Sequence, residues 1–196
     1  MAEKRKTAVQ NKFCTFRWLS PPIICAMAMF LTMTITFARP ASARINCTTL
    51  TRLATVDHID INQRHVFCGE IGRYGAVGFH AQPDGETPDT VKFDAYSRAL
   101  VISHPDHGQW HTNGIYELNN FLVSDGIDQL NKARSTMFPD HCTMNNVLDA
   151  IAHAARHNNM SGPTCLTTQN RQFEIRLFWL YANPTGWYVN TAYPRL

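Results

Sequence analysis

An uncharged apolar run of 15 residues, Ile23–Phe37, divides this chain into two parts that read as different kinds of polypeptide. Ahead of it residues 1–17 are basic and polar, and behind it Ala41-Ser42-Ala43 supplies the small-x-small pattern that a signal peptidase accepts. A basic segment, an apolar segment and an Ala-x-Ala site in that order make a secretory signal peptide, with cleavage expected after Ala43. The alternative reading is a retained membrane anchor. Fifteen helical residues span about 22 Å, short of the roughly 30 Å hydrocarbon core. Extension back to Trp18 would run through Ser20-Pro21-Pro22. The expected organisation is therefore a signal peptide over 1–43 and one domain over 44–196, secreted or periplasmic, with no stable membrane association after cleavage.

The two parts differ in charge. Residues 1–43 hold six Lys/Arg against one acid, which leaves twelve basic and fourteen acidic side chains after residue 43, a net of −2. All nine histidines lie in that second part. With 44% hydrophobic and 17% charged residues overall, the chain is not collagen-like, coiled-coil or wholly disordered, because it can support a core. A slightly acidic domain also argues against tight binding to long nucleic-acid duplexes, whose affinity comes from phosphate neutralisation. A short contact in a local cleft needs only a few cations.

Export makes the cysteines informative. Cys14 and Cys25 would leave with the signal, so Cys47, Cys68, Cys142 and Cys165 remain. An even set in an oxidising compartment points to two disulfides. Three connectivities are open, of which the simplest joins neighbours, Cys47 to Cys68 and Cys142 to Cys165. Each such bridge stabilises by about 3 kcal/mol in the chain-entropy account. A zinc site built from all four is weakly motivated, since no two are separated by only two residues.

The 153 residues after Ala43 are the size of one domain that buries about 70% of its unfolded surface. The pattern is mixed α+β. A helix is expected over Asn145–His157, capped by Asn145, with Val147, Leu148, Ile151, Ala152 and Ala155 as its apolar stripe. A second helix is expected from about Ile115 to Ala133, interrupted near Asp125-Gly126. Arg171–Tyr181 alternates apolar and polar residues as a strand does, Asn183-Pro184-Thr185-Gly186 is turn chemistry, and Trp187–Tyr193 reads as the returning strand. The period of two puts Val189, Thr191 and Tyr193 on one face. A further strand is expected to end at Ala76–His80, where Gly78 and His80 share a face and Gly78 leaves room for a close approach beside His80.

His65 and His80 stand 15 residues apart. Histidine titrates near pH 6.5, so a pair offers one neutral base and one protonated acid at neutral pH. Cleavage of a phosphodiester through a ribose 2′-hydroxyl needs that combination. One group takes the hydroxyl proton and the other protonates the departing 5′-oxygen.

The residues around this pair carry more. His65, Gly69-Glu70, Gly75-x-x-Gly78-Phe79-His80 and, far downstream, Asn190-Thr191-Ala192-Tyr193-Pro194 together resemble the bacterial branch of the EndoU endoribonucleases. That family is related to the eukaryotic poly(U)-specific enzymes and, more distantly, to the coronavirus uridylate-specific one. The resemblance spans most of the domain in motif order. It implies an EndoU-like α+β ribonuclease fold, with N-terminal helices packed on a C-terminal antiparallel sheet. It also implies RNA cleavage that leaves a 2′,3′-cyclic phosphate, with His80 as general base, His65 as general acid, and Thr191 and Tyr193 completing the site. Tyr193 offers a ring on which a base can stack. No organic cofactor is implied, and manganese assistance is left open. Bacterial members often serve as toxins, which implies a neutralising immunity protein as partner alongside the RNA substrate.

One departure stands out. Where some bacterial members carry a lysine, three residues after His80, this chain has Pro83. Lys92, Arg73 and Lys132 are the candidates to meet charge building on the phosphate, often the largest catalytic contribution. Two other functions compete with the nuclease. One is a non-catalytic secreted binding domain on the same scaffold, motivated by that missing lysine and the acidic balance. The other is a zinc-dependent secreted hydrolase using His104, His107 and His111, with Asp106 among them, although Pro105, Gly108 and Gly114 favour a loop there. His153 and His157, one turn apart with Asp149 a turn before, read as a solvated helix face. Asn46-Cys47-Thr48 and Asn159-Met160-Ser161 fit the glycosylation pattern, which matters only in a host that glycosylates.

Overall fold

In the computed structural model, which describes residues 44–103 and 112–196, ten strands and two helices follow in the order β1 (Leu53–Val56), β2 (Ile59–Asn62), α1 (Gln63–Phe67), β3 (Glu70–Gly72), β4 (Gly75–Val77), β5 (Val91–Lys92), β6 (Arg98–Ser103), β7 (Thr112–Ser124), β8 (Gln129–Met137), α2 (Met144–Arg156), β9 (Ile175–Ala182) and β10 (Gly186–Pro194). The expected signal segment and the His104, His107 and His111 constellation lie outside the described residues. No helix among the described residues is long and apolar enough to cross a membrane.

The fold is α+β, as the sequence pattern indicates, but its layout differs from N-terminal helices packed on a C-terminal antiparallel sheet. Within the described residues the domain opens on strands. One sheet runs β1-β2-β10-β9, with β10 antiparallel to β9 and parallel to β2. The second is built on the long β7, which pairs β5 and β6 along one side and β8 along the other. The first and last strands thus share a sheet, and the main helix α2 comes late in the chain.

Two apolar clusters follow from this. The larger one joins α2 to the first sheet through Ile61, Phe67, Val147, Ile151, Ile175 and Val189, and takes in all four cysteines. The bridges are Cys47–Cys68 and Cys142–Cys165, the neighbour pairing. The smaller cluster packs Phe79, which follows β4, against Val91, Leu118, Phe121, Val123 and Met137 of the second sheet.

The α2 helix begins one residue before the expected start, and its cap is Thr143 rather than Asn145. The Thr143 hydroxyl accepts from Asn146 N at 3.2 Å while Asn146 Oδ1 accepts from Thr143 N at 3.1 Å. That reciprocal box satisfies two orphan groups at once, and a single Asn145 side chain cannot do so. The buried stripe ends on Ala154 rather than Ala155.

The helix expected over Ile115–Ala133 is instead the β7–β8 hairpin. Ile115, Leu118 and Phe121 recur every third residue, which imitates a helical stripe. Ile115 faces the larger core and Leu118 the smaller one, so the strand is buried on both sides. Asn120, at φ 53°, then breaks the alternation and lets Phe121 join Leu118.

Two strand readings also change in detail. The strand expected to run to His80 stops at Val77, because Gly78 (φ 75°) and Phe79 (φ 58°) turn the chain. In β10 a bulge between Val189 and Thr191 resets the period, so Val189 joins Ala192 in the core instead of sharing a face with Thr191 and Tyr193. A bulge re-aims side chains in this way.

Candidate active site

The site is assembled by the end of a very short helix. The five-residue α1 is capped by Asn62, whose side chain accepts from His65 N at 3.1 Å. A helix end leaves carbonyls without intrahelical donors. Here the His65 carbonyl accepts from Phe79 N at 2.7 Å, and the Val66 carbonyl accepts from His80 N at 2.6 Å and Ala81 N at 3.2 Å. These bonds lay the His80 segment directly on the His65 segment. Only glycine permits the approach, since a Cβ on Gly78 would overlap the His65 carbonyl oxygen. The room that Gly78 leaves is therefore filled by the protein's own backbone, and Gly78 presents no open surface for substrate.

The consequence is a pair of imidazoles with centroids 6.0 Å apart, 5% and 6% exposed. Each ring has its Nδ1 held. Glu70 Oε2 lies 2.9 Å from His65 Nδ1, and that carboxyl is kept below its ordinary range mainly by this hydrogen bond. For His80, the Thr136 carbonyl lies 3.1 Å and Ser135 Oγ 2.8 Å from Nδ1. A carbonyl only accepts, and the Ser135 hydroxyl already donates to the Phe79 carbonyl at 2.6 Å. The proton of neutral His80 therefore sits on Nδ1, and Nε2 keeps a free lone pair. Burial, then the Lys132 charge, then His65 push the His80 pKa well below its usual value. His80 is consequently neutral at neutral pH.

The other half of the site comes from the last strand. Thr191 Oγ1 pairs with His65 Nε2 at 3.0 Å, and the Tyr193 ring stacks on His80 with centroids 5.1 Å apart. Asn190, the extra residue at the bulge, accepts from Asn62 Nδ2 at 3.0 Å and donates to Thr191 Oγ1 at 3.3 Å. The helix cap and the hydroxyl are thereby joined in one network. His65, His80, Thr191 and Tyr193, expected from sequence as a set, are linked in one chain of contacts, Thr191 to His65, His65 to His80 and His80 to Tyr193.

The cations separate. Lys92 is exposed on β5, and Arg73 is exposed at the tip of the β3–β4 hairpin over the Tyr74 ring. Lys132 of β8 is the one that reaches the histidines. Its ammonium donates to the Gly78 carbonyl and to Ser135 Oγ at 3.3 Å, and burial lowers its pKa to about 8. Glu70, Ser135 and Asn62 were not assigned roles from sequence. Glu70 lies inside the Gly69-Glu70 motif, whereas Ser135 lies three residues after Lys132, a spacing that strand alternation does not put on one face, so nothing in the sequence links the two. The Thr136 carbonyl has no sequence signal.

Among the described residues no group of three or more His, Cys, Asp or Glu is placed to hold a metal. A neutral imidazole with a free Nε2, a second imidazole beside a carboxylate, an ammonium and a stacked phenol ring can move protons at an ester of phosphoric acid. Comparison with curated proteins and with solved structures gave no match. The family model for bacterial EndoU nuclease matches residues 60–196, from β2 through the last strand, and the chain belongs to that family.

Proposed function

We propose that this protein is an endoribonuclease that cleaves RNA by attack of the 2′-hydroxyl on the adjacent phosphate. His80 Nε2 takes the proton from the 2′-hydroxyl as O2′ attacks phosphorus. The bond to O5′ breaks, and Nε2 of protonated His65 gives its proton to that oxygen. The products are a 2′,3′-cyclic phosphate and a free 5′-hydroxyl, and exchange with water returns both imidazoles to their starting states. Lys132 moves from the Gly78 carbonyl toward the phosphate as charge builds there. Thr191 holds His65 Nε2 until the leaving oxygen takes its place, and Tyr193, whose ring is stacked on His80 and Phe178, offers its phenol to a base.

The observation that carries this reading is the way each Nδ1 is occupied. Glu70 fixes one ring and Thr136 the other, so Nε2 of His80 is left free and Nε2 of His65 meets the Thr191 hydroxyl, with the ring centroids 6.0 Å apart. General acid and base catalysis of this kind contributes about 10²–10⁴-fold for each group. His80→Ala and His65→Ala are each expected to lose activity on that scale.

The protein is also proposed to be exported, on the strength of residues 1–43 and of two disulfides, which persist in oxidising compartments. A nuclease sent away from its producer's RNA acts as a toxin, and the producer then needs an immunity protein to neutralise it. The test is to incubate the oxidised protein with a uridine-containing RNA, with and without EDTA, and to read the new ends by mass spectrometry. Cyclic-phosphate ends that survive EDTA and vanish in His80→Ala are expected. Cleavage abolished by chelation would move the assignment to a metal-dependent hydrolase. Intact RNA would leave a binding domain on the same scaffold.

A further inference from the structure

Gln82 is a buried polar side chain two residues after His80, and the reaction proposed above does not use it. Its Nε2 donates to the Gly85 carbonyl at 3.0 Å and to Thr87 Oγ1 at 2.7 Å, which leaves Oε1 facing the hydroxyl of Tyr116, on β7, at 3.3 Å. That hydroxyl lies 2.7 Å from Oδ1 of Asp140, three residues past the end of β8. The three side chains thus tie the segment after His80 to the segment after β8. The same two segments already meet at the catalytic ring. Phe138 N donates to the His80 carbonyl at 2.8 Å, and the Thr136 carbonyl accepts from His80 Nδ1 at 3.1 Å. Pro83 and Pro139 have no N–H with which to carry that pairing further. Beyond Phe138 the side chains take over.

We infer that Gln82, Tyr116 and Asp140 form a positioning latch for the general base, holding the His80 segment against the end of β8 so that the Thr136 carbonyl stays on His80 Nδ1. The inference rests on the reaction proposed above. A phenol has one hydrogen to give, and burial together with Asp140 raises the Tyr116 pKa, so the hydroxyl keeps it. That hydrogen goes to Asp140, the nearer acceptor, and Gln82 Oε1 takes the weaker share. Slack in the latch is felt at Thr136 and Phe138, and through them at the ring. With Nδ1 released, the His80 proton can shift to Nε2, the nitrogen that has to be free to take a proton. The latch also keeps the ring dry, and burial is the main cause of the low His80 pKa. It meets no nucleotide, so it acts on kcat rather than on binding.

Tyr116→Phe removes one oxygen and keeps the ring that packs against the smaller apolar cluster. It is expected to lower kcat about tenfold with KM unchanged, the cost of a base displaced by a fraction of an ångström. The acid limb of the pH–rate profile should move up towards the ordinary histidine range as water reaches the ring, since its charged neighbours His65 and Lys132 are unaltered. Asp140→Ala should do the same. Asp140→Asn still offers Tyr116 an oxygen and should recover most of the lost rate, because a neutral acceptor weakens the bond without leaving the donor unpaired. Tyr96→Phe, at an exposed phenol, should change neither readout. A Tyr116→Phe protein whose acid limb stays in place overturns the latch, whatever its rate or melting temperature, because loss of a merely structural bond leaves the ring's titration alone. NMR titration of the His80 ring makes the same comparison without substrate. Wild-type protein that leaves RNA intact, with the His80 titration still shifted in Tyr116→Phe, would sink the nuclease mechanism and keep the hold on His80. An unshifted titration would sink the latch by itself.

Discussion

Gly78→Ala tests how the two histidines are brought together. Gly78 sits at φ 75°, and a Cβ there would overlap the His65 carbonyl oxygen and lie 3.1 Å from both Gly69 Cα and His65 C. All three atoms are backbone and cannot rotate away. The left-handed conformation alone costs about 1–2 kcal/mol for alanine, and forcing a methyl group into a filled space adds about 1–3 kcal/mol. Gly85 is the matched control, with φ 73° and nothing within 4 Å of its built Cβ. Gly85→Ala therefore carries the strain without the collision. At about 2–4 °C per kcal/mol for a domain of this size, the midpoint should fall by roughly 4 °C in Gly85→Ala and by roughly 10 °C in Gly78→Ala. The activity contrast should be larger. Relief of the overlap separates the His65 and His80 segments by roughly 1 Å, a misplacement that costs on the order of 10²-fold in rate. Thermal unfolding by circular dichroism and steady-state cleavage of a uridine-containing RNA give the two readouts. A Gly78→Ala protein that melts no lower than Gly85→Ala, with kcat within twofold of wild type, would refute the reasoning.

Further consequences concern charge and cross-links. Lys132→Gln should lower kcat by about 10²–10³-fold, the usual loss for one group that meets developing charge. In the wild type, activity should decline as pH rises past about 8, where Lys132 loses its proton, and the acid limb should fall below the ordinary histidine range because of His80. The stability contribution of Lys132 has the opposite trend. Its folded pKa lies below the unfolded value of 10.5, so the unfolded chain binds more protons between about 8 and 10.5 and stability rises with pH across that window. That rise should be absent from the Lys132→Gln unfolding series, and an unchanged pH profile for rate and stability would rule the assignment out. Replacing either cysteine pair by alanine should cost about 3 kcal/mol. Activity at a temperature where both variants stay folded should suffer more from loss of Cys47–Cys68, because Cys68 closes the helix that carries His65. Equal activity in the two variants would count against that link.

The pattern in the chain reached some features directly and missed others for physical reasons. The alternation over Arg171–Tyr181 and turn chemistry at Asn183–Gly186 locate the last hairpin, since one face of it lies over a core, although its first strand begins only at Ile175. The same rule failed in β7, where burial on both sides and a left-handed Asn120 produced a three-residue spacing. It failed locally in β10, where the bulge at Asn190 turned Val189 inward. His65 and His80 were legible through their spacing and neighbours. Lys132 was only one of three cations, because a strand brings it to His80 from 52 residues away.

Residue chemistry and order along the chain determined the inventory: an apolar segment near the start, an even set of cysteines after it, two histidines, and a hydroxyl and a phenol near the end. Those properties are covalent or local, so they need no fold to be read. Tertiary structure decided which atoms of that inventory meet. The meeting of the α1 carbonyls with the Phe79 and His80 amides places the rings together, and Glu70 and the Thr136 carbonyl engage the Nδ1 of each ring. Proton transfer depends on contacts of about 3 Å between residues distant in sequence, and no local pattern specifies such contacts.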